Sequence, residues 1–319
     1  MSRIMKVVSS VLLAGCFFVA GCLITWPPTP PDPTPTTTTT STTVTTTTTT
    51  TGTTTTTMPP APAVISWDHV IGLGNFVGLE PWFNPPNGIG NNAPKDIPTL
   101  IQQFAQAGGN LIQLQLMYQE GALFIKGKGL QLDPVKVKYC QDYRDTCRRN
   151  GVCVTFVLFD GSGVKYSQKW AVCPMNVKNG GAFSGAGDFY GGFSKVSQYI
   201  SQVVTQLDGD NVAWELVNEG TSASFAGQCR DLLKSLGVTR ITTSGANPGG
   251  LWRYSAHSAV SAGAVKAGQL PCSDGASWNM SNVPPVCKAV RATMGGGLVW
   301  DGGTDSQHDW PSFLNAIKP

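Results

Sequence analysis

Glu219 is the residue around which chemistry can be argued. It closes the run Asn211-Val-Ala-Trp-Glu-Leu-Val-Asn218-Glu219-Gly220, an apolar segment of strand character that ends on a carboxyl beside an amide. Strand alternation predicts that Glu215, Val217 and Glu219 share one face. A carboxyl at a strand end, in a partly dry cleft, can hold its proton near neutrality and act as a general acid. The adjacent Asn218 amide can hydrogen-bond a substrate hydroxyl. The same residues also suit an ordinary strand-to-helix turn, because Asn-Glu-Gly-Thr-Ser is rich in capping side chains.

The elements that must position this run alternate along the chain. Strands are expected over Val70–Glu80, Asn110–Tyr118, Val152–Asp160, Asn211–Glu219, Thr239–Ser244, Trp252–His257, Gly268–Asp274 and Gly297–Asp301. Helices are expected over Ile97–Ala107, Asp133–Asn150, Ser194–Leu207, Ser224–Leu236, Val283–Met294 and Trp310–Ile317. A short, poor helix is expected between the sixth and seventh strands. The Gly-rich stretch from Asp160 to Gly192 reads as a loop long enough to suspect function. Such alternation implies a parallel sheet. Eight units within residues 64–319 point to one α/β domain closed as a (β/α)8 barrel, with an open doubly wound sheet as the rival. Gly72-Leu73-Gly74 lacks the third glycine of a phosphate-binding loop. In a barrel, reactive groups lie at the C-terminal ends of strands, where Glu219 falls.

The chain has 319 residues, a formal net charge of +3 and only 13% charged residues, against a usual ~25%. That balance carries no electrostatic footprint for nucleic acid. Residues 1–22 read as a lipoprotein-type signal: Arg3 and Lys6, an apolar stretch, then Val19-Ala20-Gly21-Cys22, with Cys22 as the lipidation site. Leu13-Ala14-Gly15-Cys16 is a rival cleavage site. Residues 23–63 are Pro- and Thr-rich, with nothing to bury, and read as a disordered linker. Export to a bacterial cell envelope or the extracellular space follows, with the membrane reached through the lipid anchor. Seven of the nine cysteines lie beyond Cys22. Cys272–Cys287 is the best single disulfide expectation, whereas Cys140 and Cys147 on one helix stand about 10 Å apart, too far to bridge. No CxxC exists and His69, His257 and His308 are scattered, which disfavours zinc.

The run Trp214-Glu215-Leu216-Val217-Asn218-Glu219 resembles the fourth-strand signature of the (β/α)8 retaining glycoside hydrolases, closest to glycoside hydrolase family 5 with its cellulases, mannanases and β-1,3-glucanases. The resemblance implies a TIM barrel, a polysaccharide or oligosaccharide substrate, Asn218 as the substrate-binding amide and Glu219 as acid/base. Gly72-Leu73-Gly74-Asn75-Phe76-Val77-Gly78-Leu79-Glu80-Pro81-Trp82 is similar to that family's first strand, implying Glu80 near the sugar. Val299-Trp300-Asp301-Gly302 resembles its eighth strand, implying Trp300 as a sugar platform. Tyr254-Ser255-Ala256-His257 distantly resembles its sixth-strand His region, implying a binding role for His257.

Two departures stand against this pattern. The family places a Glu nucleophile after the seventh strand, yet the four Glu of this chain are Glu80, Glu120, Glu215 and Glu219. Asp274 is the nearest substitute, with Asp160 and Asp301 behind it, although Ser273-Asp274-Gly275 is also a plain turn. The family's second strand reads Asn-x-x-Arg, where this chain has Asn110-Leu111-Ile112-Gln113. Three readings follow: a hydrolase using Glu219 and an Asp, a glycan-binding barrel that has lost hydrolysis, or a structural lipoprotein. The exposed-aromatic candidates are Trp82, Phe83, Trp170, Trp278 and Trp300, while Trp214 reads as core. No cofactor or catalytic metal is implied, and a monomer is expected.

Overall fold

The computed structural model describes residues 63–76, 93–94, 96–117, 123–125, 127–255, 257–258, 261–273, 280–301 and 309–319. Cys16, Cys22, the Pro/Thr linker, Glu80, Trp82, Phe83, Asp274 and Trp278 lie outside the described residues. Among the described residues no helix is long and apolar enough to cross a membrane.

Among the described residues eight strands run in the order expected: β1 (Val70–Phe76), β2 (Leu111–Gln115), β3 (Cys153–Val157), β4 (Val212–Glu215), β5 (Ile241–Thr242), β6 (His257–Ser258), β7 (Cys272–Ser273) and β8 (Gly297–Asp301). They form one sheet in the order β5-β4-β3-β2-β1-β8-β7-β6, and the pairings between neighbouring strands are parallel. The two ends of that order meet through the segment leading into β6. Trp252 N donates to Ile241 O at 2.9 Å and Ser255 N to Thr243 O at 3.0 Å, so residues 252–255 run beside β5. Leu270 N donates to Tyr254 O at 3.0 Å on the other side. The sheet is therefore an α/β barrel, and the open-sheet alternative falls.

Helices α1 (Ile97–Gln106), α2 (Pro134–Arg149), α6 (Phe193–Leu207), α7 (Ala223–Ser235), α8 (Val283–Ala292) and α9 (Trp310–Ile317) cover the outside. Their starts follow from local chemistry. Asp96, Asp133 and Asp309 each accept backbone N–H groups at an N-terminus that has Pro in its first turn, satisfying donors that the helix cannot satisfy itself. Three short helices, α3 (Gly161–Lys165), α4 (Ser167–Val172) and α5 (Ala186–Gly191), occupy the stretch expected to be a long loop. Asp160 caps the first of these, and Phe183 and Phe189 anchor the segment in the core.

Strand alternation divides the buried residues into two layers. Outward-facing Ile71, Ile112, Val154, Trp214, Leu298 and Trp300 pack under the helices. Val70, Leu111, Cys153, Leu270, Cys272 and Val299 fill the barrel's N-terminal end, stoppered by Ile65 and Trp67. Arg253 Nη2 donates to Trp67 O at 2.6 Å and Trp67 Nε1 to Asp210 O at 3.2 Å, fixing that stopper.

This layering overturns two expectations. Cys272 belongs to the inner layer and Cys287, on α8, to the outer one, so the sheet stands between them. Cys287 is a free thiol, and the Cys272–Cys287 bridge is not formed. Trp300 is fully buried beneath the helices, because its neighbour Val299 takes the inner face. A ring with no open face cannot serve as a sugar platform. Trp214 is core, as its pattern suggests.

Cys140, Cys147, Cys153, Cys173, Cys229 and Cys287 are all buried free thiols. Burial pushes Cys153 up to about 12 and Cys173 and Cys287 up to about 11. Inaccessible, protonated thiols are poor nucleophiles. These six are expected to be silent toward a thiol reagent in the native chain and to react together on unfolding. Reaction before the unfolding transition would contradict that burial.

Candidate active site

The C-terminal end of β4 departs from regular strand geometry, and the departure builds the site. The β4–β5 ladder proceeds through Trp214 N to Arg240 O and Leu216 N to Thr242 O, both 2.9 Å. Beyond that rung, side chains of β4 and the β5 end enter the pairing. Ser244 N donates to Glu215 Oε1 at 3.1 Å and Thr243 Oγ1 to Val217 O at 3.0 Å. Glu219 N donates to Ser244 Oγ at 3.1 Å. On the β3 side, Asn218 N donates to Phe159 O at 2.9 Å and Gly161 N to Asn218 O at 2.7 Å.

The break also ends alternation. Leu216 and Val217 both join the outer core, so Glu215, Val217 and Glu219 do not share a face as expected. Glu215 is fully buried and Asn218 nearly so, whereas Glu219 is exposed. Glu219 has φ 52°, one of two left-handed non-glycine residues among those described. For an L residue that conformation costs about 1–2 kcal/mol. It persists because the flanking backbone is held on both sides.

Glu215 is the buried anchor. Gln113 Nε2 donates to its Oε2. Ser244 Oγ lies 2.5 Å from Glu215 Oε1 and 3.0 Å from Asn218 Oδ1. Buried carboxylates require such donors, since desolvating an unbonded charge is costly. Gln113, expected at the sugar site, is thus buried and engaged with Glu215.

Asp160, at the end of β3, pairs with Asn218 as a parallel bridge. Its Oδ1 accepts from Ser162 N and Oγ, and its Oδ2 from Gly163 N. Burial raises its carboxyl above the usual range, Ser162 and Lys169 oppose that rise, and Glu219 adds to it. The charge of Glu219 thus bears on Asp160, although Asp160 is occupied as a helix cap. Lys169 Nζ donates to Ser162 Oγ at 2.9 Å beside it.

The structure thus brings Asn218, Glu219, Gln113 and Asp160 to one sector of the barrel. His257 lies in β6 opposite Cys272, and Asp301 ends β8 opposite Gly74. Trp170, on α4, is partly buried against the core. Among the described residues no group of His, Cys, Asp and Glu could hold a metal ion. Sequence reading missed the roles of Glu215 and Ser244. Glu215 carried a signal, a carboxyl inside an otherwise apolar strand; Ser244 carried none.

Solved structures share this architecture. The β-mannanase from the blue mussel Mytilus edulis matches 78% of this chain and 90% of its own, with a TM-score of 0.53 at 12% identity. The endo-1,4-β-mannanase from Eisenia fetida matches 81% and 92%, with a TM-score of 0.53 at 14% identity. The family 5 xyloglucanase from Paenibacillus pabuli, solved with a ligand, matches 79% and 98%, with a TM-score of 0.52 at 14% identity. The chain has a glycoside-hydrolase-like α/β barrel fold. At these identities the likeness is one of fold. No protein-family model matches the chain, and no curated protein does. On this family-5-like barrel, Glu219 stands at the C-terminal rim, the face where barrels carry their chemistry.

Proposed function

We propose that this chain is a glycoside hydrolase acting on β-linked polysaccharide, glucan or mannan, with Glu219 as general acid/base. The observation that carries the reading is the fixed, strained backbone of an exposed carboxyl at the rim of β4. Strain at a single polar residue, held by buried hydrogen bonds, is a feature of working sites. In this mechanism Glu219 gives its proton to the glycosidic oxygen as that bond breaks. A second carboxylate attacks the sugar carbon or activates a water, according to whether the two carboxyls lie ~5–5.5 Å apart or farther. Asp274 is the proposed partner. Asp160 is less suited, because three donors already hold its oxygens. The chain is proposed to be exported, with Cys22 carrying a lipid and residues 23–63 spacing the barrel from the membrane.

A second reading has its own observation. No Glu follows Glu219, and Gln113, where the resembled family has an arginine, is buried against Glu215. A barrel that binds glycan without cutting it would tolerate both.

Release of reducing ends by the full-length chain from β-mannan, β-1,4-glucan and xyloglucan tests the two. Release from at least one polymer is the expected result. Retention of polymer by the protein, without release, would replace the hydrolase reading with the binding one. Neither release nor retention would remove both.

A further inference from the structure

The hydroxyl of Ser244 sits where three demands meet. Its oxygen accepts the Glu219 N–H at 3.1 Å, lies 2.5 Å from Glu215 Oε1 and lies 3.0 Å from Asn218 Oδ1. The Ser244 backbone N–H is also bound to Glu215 Oε1. A hydroxyl has one proton to give and two lone pairs to accept with. Glu215 Oε1 already accepts the Ser244 backbone N–H, so the 2.5 Å contact takes the hydroxyl proton as well. That leaves the oxygen turned to receive the Glu219 amide.

We propose that Ser244, oriented by the buried Glu215 carboxylate, is the positioning residue that holds Glu219 in its left-handed turn and so aims its side chain. The proposal rests on Glu219 being the working carboxyl, and goes beyond that by naming what directs it. The flanking groups in the turn have backbone partners: Asn218 N goes to Phe159 O, Asn218 O receives Gly161 N, and Gly220 O receives Ala246 N. Glu219 N instead goes to a side chain, the Ser244 hydroxyl. Removing that acceptor leaves the Asn218–Glu219 peptide held at its carbonyl alone, by Gly161 N, and loosens the rotation that swings the Glu219 carboxyl. Gln113, bonded to the far oxygen Oε2, keeps the carboxylate from turning away from Ser244.

The four glutamates make the test direct, because selective 15N-glutamate labelling of the full-length chain yields four backbone amide signals. Loss of one signal in Glu219→Gln assigns Glu219, and loss of another in Glu215→Gln assigns Glu215. Amide exchange is then followed in native, Ser244→Ala and Ser244→Thr chains. Ser244→Ala is expected to speed Glu219 exchange about tenfold, the weight of one hydrogen bond, while the Glu215 amide keeps its protection. Ser244→Thr, which retains the hydroxyl, restores slow exchange. Unchanged Glu219 exchange in Ser244→Ala overturns the proposal, as does equal acceleration at Glu215, which would mark general loosening. If Ser244→Ala fails to fold, Glu215→Gln substitutes for it, with faster Glu219 exchange expected and unchanged exchange again overturning the proposal. On any glycan the native chain cleaves, Ser244→Ala should lower kcat with KM held and Ser244→Thr should recover it. A native chain that cleaves nothing defeats the proposed activity, but the exchange measurement still decides the positioning.

Discussion

The Glu219→Gln chain is expected to melt with the native chain and to lose glycan cleavage by roughly 10²–10⁴-fold, the range over which a positioned acid or base contributes. Glutamine keeps the shape of the side chain but cannot deliver a proton to a departing sugar oxygen. Stability is expected to stay within about 0.5 kcal/mol, because the side chain is exposed and a surface change away from packing costs little. Only the Glu219 backbone N–H is tied to Ser244, and the substitution leaves that group in place. It also removes a negative charge that raises the Asp160 carboxyl, so Asp160 should ionise more readily in the variant. Initial rates and a thermal melt, taken on the same preparation, check both halves. Cleavage retained at about a tenth of the native rate or more would take Glu219 out of the chemistry.

Gly245→Ala should injure both stability and cleavage without removing a polar group. A β-carbon at 245 would lie 2.3 Å from Gly220 N and 2.4 Å from Gly220 O. Both are backbone atoms of the residue that follows Glu219. Across the same turn, a β-carbon at Gly161 would lie 2.6 Å from Asn218 O and 2.7 Å from Gly220 Cα. The strand end that carries Glu219 is thus clamped between two bare backbones, from the ends of β3 and β5. Neither side can yield unless the turn moves. Overpacking of this kind costs about 1–3 kcal/mol, a fall of roughly 2–12 °C in melting temperature for a domain of this size. An ångström of displacement at a catalytic group can cost about 10²-fold in rate. Gly227→Ala is the control: it lies on α7 with its nearest neighbour at 3.7 Å. There, alanine should stabilise the chain by about 0.5–1 kcal/mol through helix propensity. Equal behaviour of the two variants would show that the rim is not clamped.

Much of the frame was legible because it is written in local rules. Asp-Pro at 133–134 is a helix start whatever surrounds it, and α2 begins there. Gly297–Asp301 and Trp310–Ile317 carry their own periodicity, and β8 and α9 have those bounds. The weaker elements failed at their edges. The expected fifth strand, Thr239–Ser244, shortens to Ile241–Thr242, since Thr243 and Ser244 contribute side-chain atoms to the rim in place of regular pairing. The stretch from Asp160 to Gly192 looked like open loop because glycine conceals helical turns shorter than one period of pattern. Only its packing of Phe183 and Phe189 into the core reveals them.

The sequence by itself determined the alternation of strand and helix, the parallel run of eight strands, and the place of Asn218 and Glu219 at the end of the fourth. Those follow from periodicity, caps and order, which are properties of neighbours in the chain. That the sheet closes was decided by the hydrogen bonds of residues 252–255 to β5. Tertiary structure alone decided which way each side chain was spent. Trp300 went under the helices because Val299 took the inner face, and Cys272 and Cys287 were parted by the sheet. Gln113, from β2, was drawn onto Glu215 of β4, and Ser244, from beyond β5, was brought to the Glu219 amide. These contacts join residues from about 25 to 102 positions apart. Burial makes them necessary, because a carboxylate removed from water must find its donors wherever the fold places them.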